Sequence, residues 1–150
     1  MSKRGMVRAA ARRRAKIASV AVAAAGVAGV AAPSASAIEV NSLADPGNGN
    51  CNDGTCTLRE ALDLSDSTPA TTDTITFKSG LSGTIHVNGT AGNLDIYWPV
   101  TIQGPGPDVV TISGDSDSNG TPDTRVLYTF ADGVTISGLT FAKGAGKPNS

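Results

Sequence analysis

A five-residue phrase recurs along this chain: Val100-Thr101-Ile102-Gln103-Gly104, Val110-Thr111-Ile112-Ser113-Gly114 and Val134-Thr135-Ile136-Ser137-Gly138. Each copy is β-branched, alternates its side chains with a period of two and closes on glycine. Together these describe a short strand meeting a corner where the backbone turns through positive φ. Val110 to Val134 is a step of 24 residues, and steps of 25 back from Val110 and Val100 reach Ile85 and Ile75. Those isoleucines sit in Gly83-Thr84-Ile85-His86-Val87 and Asp73-Thr74-Ile75-Thr76-Phe77, and a step of 26 on from Val100 reaches Val126. A repeat of about 25 residues holding two or three short strands cannot bury an apolar face by itself, so the repeats must stack. The pattern predicts an all-β solenoid, a parallel β-helix of about 25 residues per coil. An antiparallel β-sandwich is the alternative, because short strands separated by glycine turns also describe that fold. The near-identity of the phrases argues against the sandwich. So does the want of a tight hairpin: neither Asn88-Gly89 nor Asn119-Gly120 sits closely between two strand-like runs.

The N-terminus reads differently. Seven basic residues from Lys3 to Lys16 precede an uncharged run, Ile17 to Ala32, and then Pro33-Ser34 and the small-residue triplet Ala35-Ser36-Ala37. This order predicts a secretory signal peptide over residues 1–37 and a secreted or cell-surface protein. A membrane anchor is the competing reading, but the run is mostly alanine and glycine and barely long enough to span. Arg12-Arg13-Arg14 fits the twin-arginine pattern only loosely, so the export route stays open. Without these residues the 12 basic side chains fall to 5 against 13 acidic ones, a net charge of −8. A chain that acidic has no footprint for nucleic acid or anionic lipid, and no membrane span is expected in its mature part.

The mature part begins with a short extended piece and a loop of turn-forming residues, Asp45-Pro46-Gly47-Asn48-Gly49-Asn50. Cys51 and Cys56 follow, the only cysteines, and an oxidising destination predicts that they form a local disulfide. A zinc site is the competing reading and lacks further ligands. Next, Thr57 and Glu60 have the spacing of a capping box, with Leu58, Ala61 and Leu62 on one helical face. A short amphipathic helix is expected here, covering the open end of the first coil, with Glu60 as capping partner and Arg59 as an ion-pair or surface residue. Residues 38–72 are thus an N-terminal cap, and residues 73–150 the coils.

The segments Cys56-Thr57-Leu58-Arg59-Glu60-Ala61, Asp73-Thr74-Ile75-Thr76-Phe77, Gly83-Thr84-Ile85, Ile102-Gln103-Gly104-Pro105-Gly106 and Ile136-Ser137-Gly138-Leu139-Thr140 resemble the CSLREA domain of secreted bacterial proteins. Thr57 stands where that family's namesake hexapeptide has serine. The resemblance covers most of residues 38–146. It implies the start of a right-handed parallel β-helix, of the kind found in large surface proteins akin to polymorphic outer-membrane proteins, and it implies no catalytic residues.

One loop suggests metal chemistry. Asp115-Ser116-Asp117-Ser118-Asn119-Gly120-Thr121-Pro122-Asp123 places oxygen donors at alternate positions and glycine sixth, like the opening of an EF-hand or thrombospondin type 3 loop, with Asp115, Asp117, Asn119 and Asp123 as calcium ligands. Its twelfth place is Val126 where an acid is expected, and a solvated acidic corner is the competing reading. His86, the only histidine, reads as an exposed or corner residue.

The reading that results is a structural or adhesive module without catalytic activity, with extracellular glycans or other surface proteins as partners. A polysaccharide-acting lyase or hydrolase and a calcium-dependent glycan-binding module are the alternatives. An enzyme would need clustered carboxylates, or a basic residue beside a carboxylate on adjacent coils, and none of the mature basic residues shows that spacing on a strand. The glycine-rich polar tail after Ala142 carries no capping helix, so the chain is expected to be the N-terminal piece of a longer β-helix.

Overall fold

The computed structural model describes residues 34–146. The expected signal peptide falls outside the described residues except for its last four positions, and residues 147–150 fall outside as well. Among the described residues no helix is long and apolar enough to cross a membrane.

The strands are short and every ladder between them is parallel. One sheet is ordered β1 (Ala37–Val40), β2 (Asp73–Phe77), β5 (Val100–Gln103) and β8 (Thr135–Ser137). A second is ordered β3 (Gly83–His86), β6 (Val110–Ser113) and β9 (Thr140–Ala142), and a third pairs β4 (Leu94–Ile96) with β7 (Leu127–Thr129). Parallel pairing throughout the described residues excludes the antiparallel sandwich.

Register explains the repeated phrase. Ile38, Ile75, Ile102 and Ile136 are successive partners across the first sheet, and Ile85, Ile112 and Phe141 across the second. Like side chains stack on like, and the inward column is apolar while Thr74, Thr101 and Thr135 form an outward column beside it. Residues from all three sheets and from the helix α1 (Leu58–Asp66) share one buried cluster. At about 25 cal/mol per Å² of apolar surface, an isoleucine fully enclosed in such a column contributes about 2 to 3 kcal/mol.

The 25-residue stepping needs correction. Thr74 pairs with Thr101, a step of 27, Leu94 with Leu127, a step of 33, and Thr101 with Thr135, a step of 34. The third phrase therefore lies against the first, not the second, and Val126 precedes β7 instead of partnering Val100. The loop over residues 115–123 lengthens the chain between β6 and β7, which an even step cannot accommodate.

The closing glycines also have a different reason from the one expected. Only Gly138 takes a positive φ, of 63°; Gly104 and Gly114 do not. A Cβ at Gly104 would collide with the carbonyl of Gly138, and one at Gly114 with the carbonyls of Thr124 and Lys143. Close approach of neighbouring chain segments selects glycine there.

The helix α1 begins with the expected capping box: Thr57 accepts from the Glu60 N–H, and the Glu60 carboxylate accepts from the Thr57 N–H at 2.8 Å. The other Glu60 oxygen gathers the N–H groups of Asn48, Gly49 and Asn50, so one buried side chain caps the helix and orders the loop before it. Cys51 and Cys56 form a disulfide within this cap. The helix packs on β1, β2 and β4. Ser36 and Ala37, which the expected leader includes, join the sheet: Ser36 accepts from the Thr74 N–H at 2.9 Å, and Ala37 partners Thr74.

Candidate functional site

Two surfaces carry chemistry. The first is an aromatic face on the third sheet. In β4 and β7, Leu94 and Ile96 point into the core, and the residues that alternate with or follow them point out. Because Ile96 lies beside Thr129, the chain continues with Tyr97 beside Phe130, and the Phe130 N–H donates to the Ile96 carbonyl at 2.8 Å. The two rings stack with centroids 4.9 Å apart and planes 2° from parallel. Tyr128 leans on Phe130 at 4.6 Å, and the Arg125 guanidinium lies 5.1 Å over the Tyr128 ring. All of these rings are exposed, Phe130 at 61% and Tyr97 at 52%, and Trp98 is exposed beside them.

Polar groups edge this face. Asn93 donates to the Asp95 carboxylate, and Asn93, Asp95, Arg125, Tyr128 and Phe130 line a hollow of about 310 Å³. The charge of Asp95 raises the Tyr97 phenol above its ordinary range. Burial raises Asp63 and Asp66 on the facing side of α1.

The cap holds the face in place. Arg59 grips Asp45 with two bonds of 2.7 and 2.8 Å and donates to the carbonyls of Gly92 and Asn93 just before β4. Its bond to Asp45 raises the guanidinium further against the opposing effect of burial. At the other end of the helix, Asp66 accepts from the N–H groups of Tyr97 and Trp98. Both ends of α1 thus fix the strand that carries Tyr97.

The second surface is the acidic loop after β6. Asp115 is 1% exposed; its Oδ2 accepts from the Gly120 N–H at 2.9 Å and from the Lys143 ammonium at 2.8 Å. The bond from Lys143 keeps the Asp115 carboxyl below the usual aspartate range. One carboxylate oxygen from each of Asp115, Asp117 and Asp123 lies within 4.8 Å of the others. The Asn119 amide braces the loop, donating to Asp117 at 2.8 Å and accepting from the Thr121 N–H at 2.7 Å. His86, on β3, is half-buried with Nδ1 2.6 Å from the Asp115 carbonyl oxygen, so it anchors the loop.

The Lys143–Asp115 pair joins neighbouring strands just past the ends of β9 and β6, outside the strand positions for which no basic residue was expected to meet an acid. Sequence reasoning saw the acidic loop and missed the aromatic face. Leu94-Asp95-Ile96-Tyr97 and Leu127-Tyr128-Thr129-Phe130 each carry an exposed aromatic residue after a strand, but nothing local indicates that the two segments pair at a step of 33 residues.

The chain matches no family model, no curated protein and no solved structure.

Proposed function

We propose that this chain is a secreted or cell-surface module built as a right-handed parallel β-helix, adhesive and not catalytic, that holds neutral glycan chains on its aromatic face. Parallel ladders joined in one core, with partners 27 to 34 residues apart across the central layers, support the β-helix. Handedness, export and membership of the CSLREA family rest on the resemblance and the leader-like N-terminus.

The observation that carries the binding reading is the parallel, stacked Tyr97–Phe130 pair, exposed and edged by Asn93, Asp95 and Arg125. Exposed apolar patches of this kind are interaction sites. A pyranose ring offers weakly positive C–H groups on its face, which suit the negative face of an aromatic ring, and hydroxyls at its edge, which suit carboxylate, amide and guanidinium partners. Asp63, Asp66 and Asp95 nearby repel polyuronates, so the ligand is a neutral glycan. The same charge argues against a lyase acting on acidic polysaccharide.

The test is a glycan array probed with the full chain in the presence of chelator, beside a Tyr97→Ala/Phe130→Ala variant. Neutral pyranose chains should bind in the millimolar to micromolar range and be lost in the variant. A folded chain that binds no glycan, a variant that binds as well as the parent, or breakdown of a polysaccharide would each overturn the reading.

A further inference from the structure

The acidic loop holds a buried carboxylate oxygen with nothing bonded to it. Among the described residues Asp115 Oδ1 has no hydrogen-bond partner, whereas Oδ2 of the same group is held by Gly120 and Lys143. Leaving a charged acceptor desolvated and unsatisfied is costly, and native proteins do so where something else completes the group. The Gly120 N–H comes from the loop itself, so the carboxyl is turned toward the loop and not into the apolar core.

Geometry and charge point to the same missing partner. Oxygens bound to one calcium ion lie about 2.3 to 2.6 Å from it and therefore no more than about 5 Å apart. One carboxylate oxygen from each of Asp115, Asp117 and Asp123 falls within 4.8 Å of the other two. Three carboxylates against the single positive charge of Lys143 leave two negative charges uncompensated, the charge of one divalent cation. The donors are all hard oxygens, and the nearest imidazole, His86, has its Nδ1 on the Asp115 carbonyl oxygen. An irregular loop suits calcium, which accepts six to eight oxygens in flexible geometry, better than magnesium, which needs a near-ideal octahedron.

We infer that residues 115–123 bind one calcium ion, with Asp115 as the inner ligand and Asp117 and Asp123 as the outer ones. Water and loop carbonyls complete the shell. Lys143 is a built-in competitor: its ammonium already sits 2.8 Å from Asp115 Oδ2 and repels a second cation. Affinity is therefore in the extracellular range, with Kd about 10⁻⁴ to 10⁻³ M. The ion also braces the layer around it, because Gly114 accepts from the N–H groups of Asp123 and Thr124, and Thr124 accepts from Ala145 at 2.9 Å just past β9. None of this depends on what the aromatic face binds.

Calorimetric titration of the chelator-stripped full chain with calcium chloride tests the inference, with magnesium chloride as the comparison. One ion should bind, and Lys143→Met should tighten it by about tenfold as the competing charge is removed. Asp115→Asn endangers folding, so the loss variant is Asp117→Asn, at an exposed position; it should weaken binding at least about tenfold while its calcium-free melt stays that of the parent. Absence of heat up to about 10 mM calcium in a folded chain overturns the site, as does undiminished binding by Asp117→Asn or equal affinity for magnesium.

Discussion

Ile38 and Ile136 stand at opposite ends of one isoleucine column, in edge strands that each have a single neighbour among the described residues. Ile38 is 5% exposed, while Ile136 is only half-buried. The same contrast appears in the second sheet, where Ile112 is 1% exposed and its partner Phe141 is 43% exposed. The helix α1 lies against β1 and β2, and among the described residues nothing comparable covers β8 and β9. At that end Val126, Leu127, Ile136 and Phe141 line an open apolar groove of about 360 Å³. An identical strand phrase is therefore core in one layer and surface in another. Burial in stacked layers comes from the neighbour above and below, and a strand contributes only the opportunity.

The sharpest way to break the comparison is to truncate the same residue in the two settings. Ile102→Ala removes a side chain enclosed between Ile75 and Ile136 and should cost about 3 to 4 kcal/mol, while Ile136→Ala, already half in water, should cost about 1 kcal/mol. Denaturant unfolding of both variants measures the difference, and equal losses would show that the last layer is as well packed as the middle one.

Uncapping the covered end should have the next largest effect. Glu60→Gln replaces a carboxylate that accepts four backbone N–H bonds, and about 2 kcal/mol of stability should be lost near neutral pH. Burial alone would raise this carboxyl, but the N–H groups of Thr57, Asn48, Gly49 and Asn50 outweigh it and lower it below the ordinary glutamate range. A depressed acid stabilises the fold above its unfolded value of about 4.3, and that stability is lost as the pH falls through the lower folded value. The gap between parent and variant should accordingly narrow as melts are taken from pH 7 to acid, and a gap that widens would contradict the assignment.

The smallest effect belongs to the disulfide. Cys51 and Cys56 close a loop of only a few residues, so replacing both by serine should cost less than the roughly 2 to 4 kcal/mol of a typical bridge. Any loss should appear in protection of the N-terminal cap and leave β8 and β9 unchanged in hydrogen exchange.

Much of the layer arrangement was legible in the residues. Inward isoleucines flanked by threonine announced short stacked strands, and Thr57 with Glu60 announced the helix that covers them. The aromatic face was not legible, because Tyr97 and Phe130 are 33 residues apart and become neighbours only through the pairing of β4 with β7. Arg59 shows the same limit: its type predicted an ion pair, but the partner, Asp45, and the carbonyls of Gly92 and Asn93 were set by folding.

Local chemistry therefore determined which segments are strands, where the helix starts, that the cysteines pair and that the acidic loop has calcium-like spacing. Those features depend on residues a few positions apart, whose side-chain periodicity and backbone preferences act before any distant contact forms. Tertiary structure decided the register, the unequal steps of 27 to 37 residues, the meeting of Lys143 with Asp115 and the reason for glycine at positions 104 and 114. Each of these depends on which layer lies against which, and loops of unequal length between the strands leave that unspecified until the layers pack.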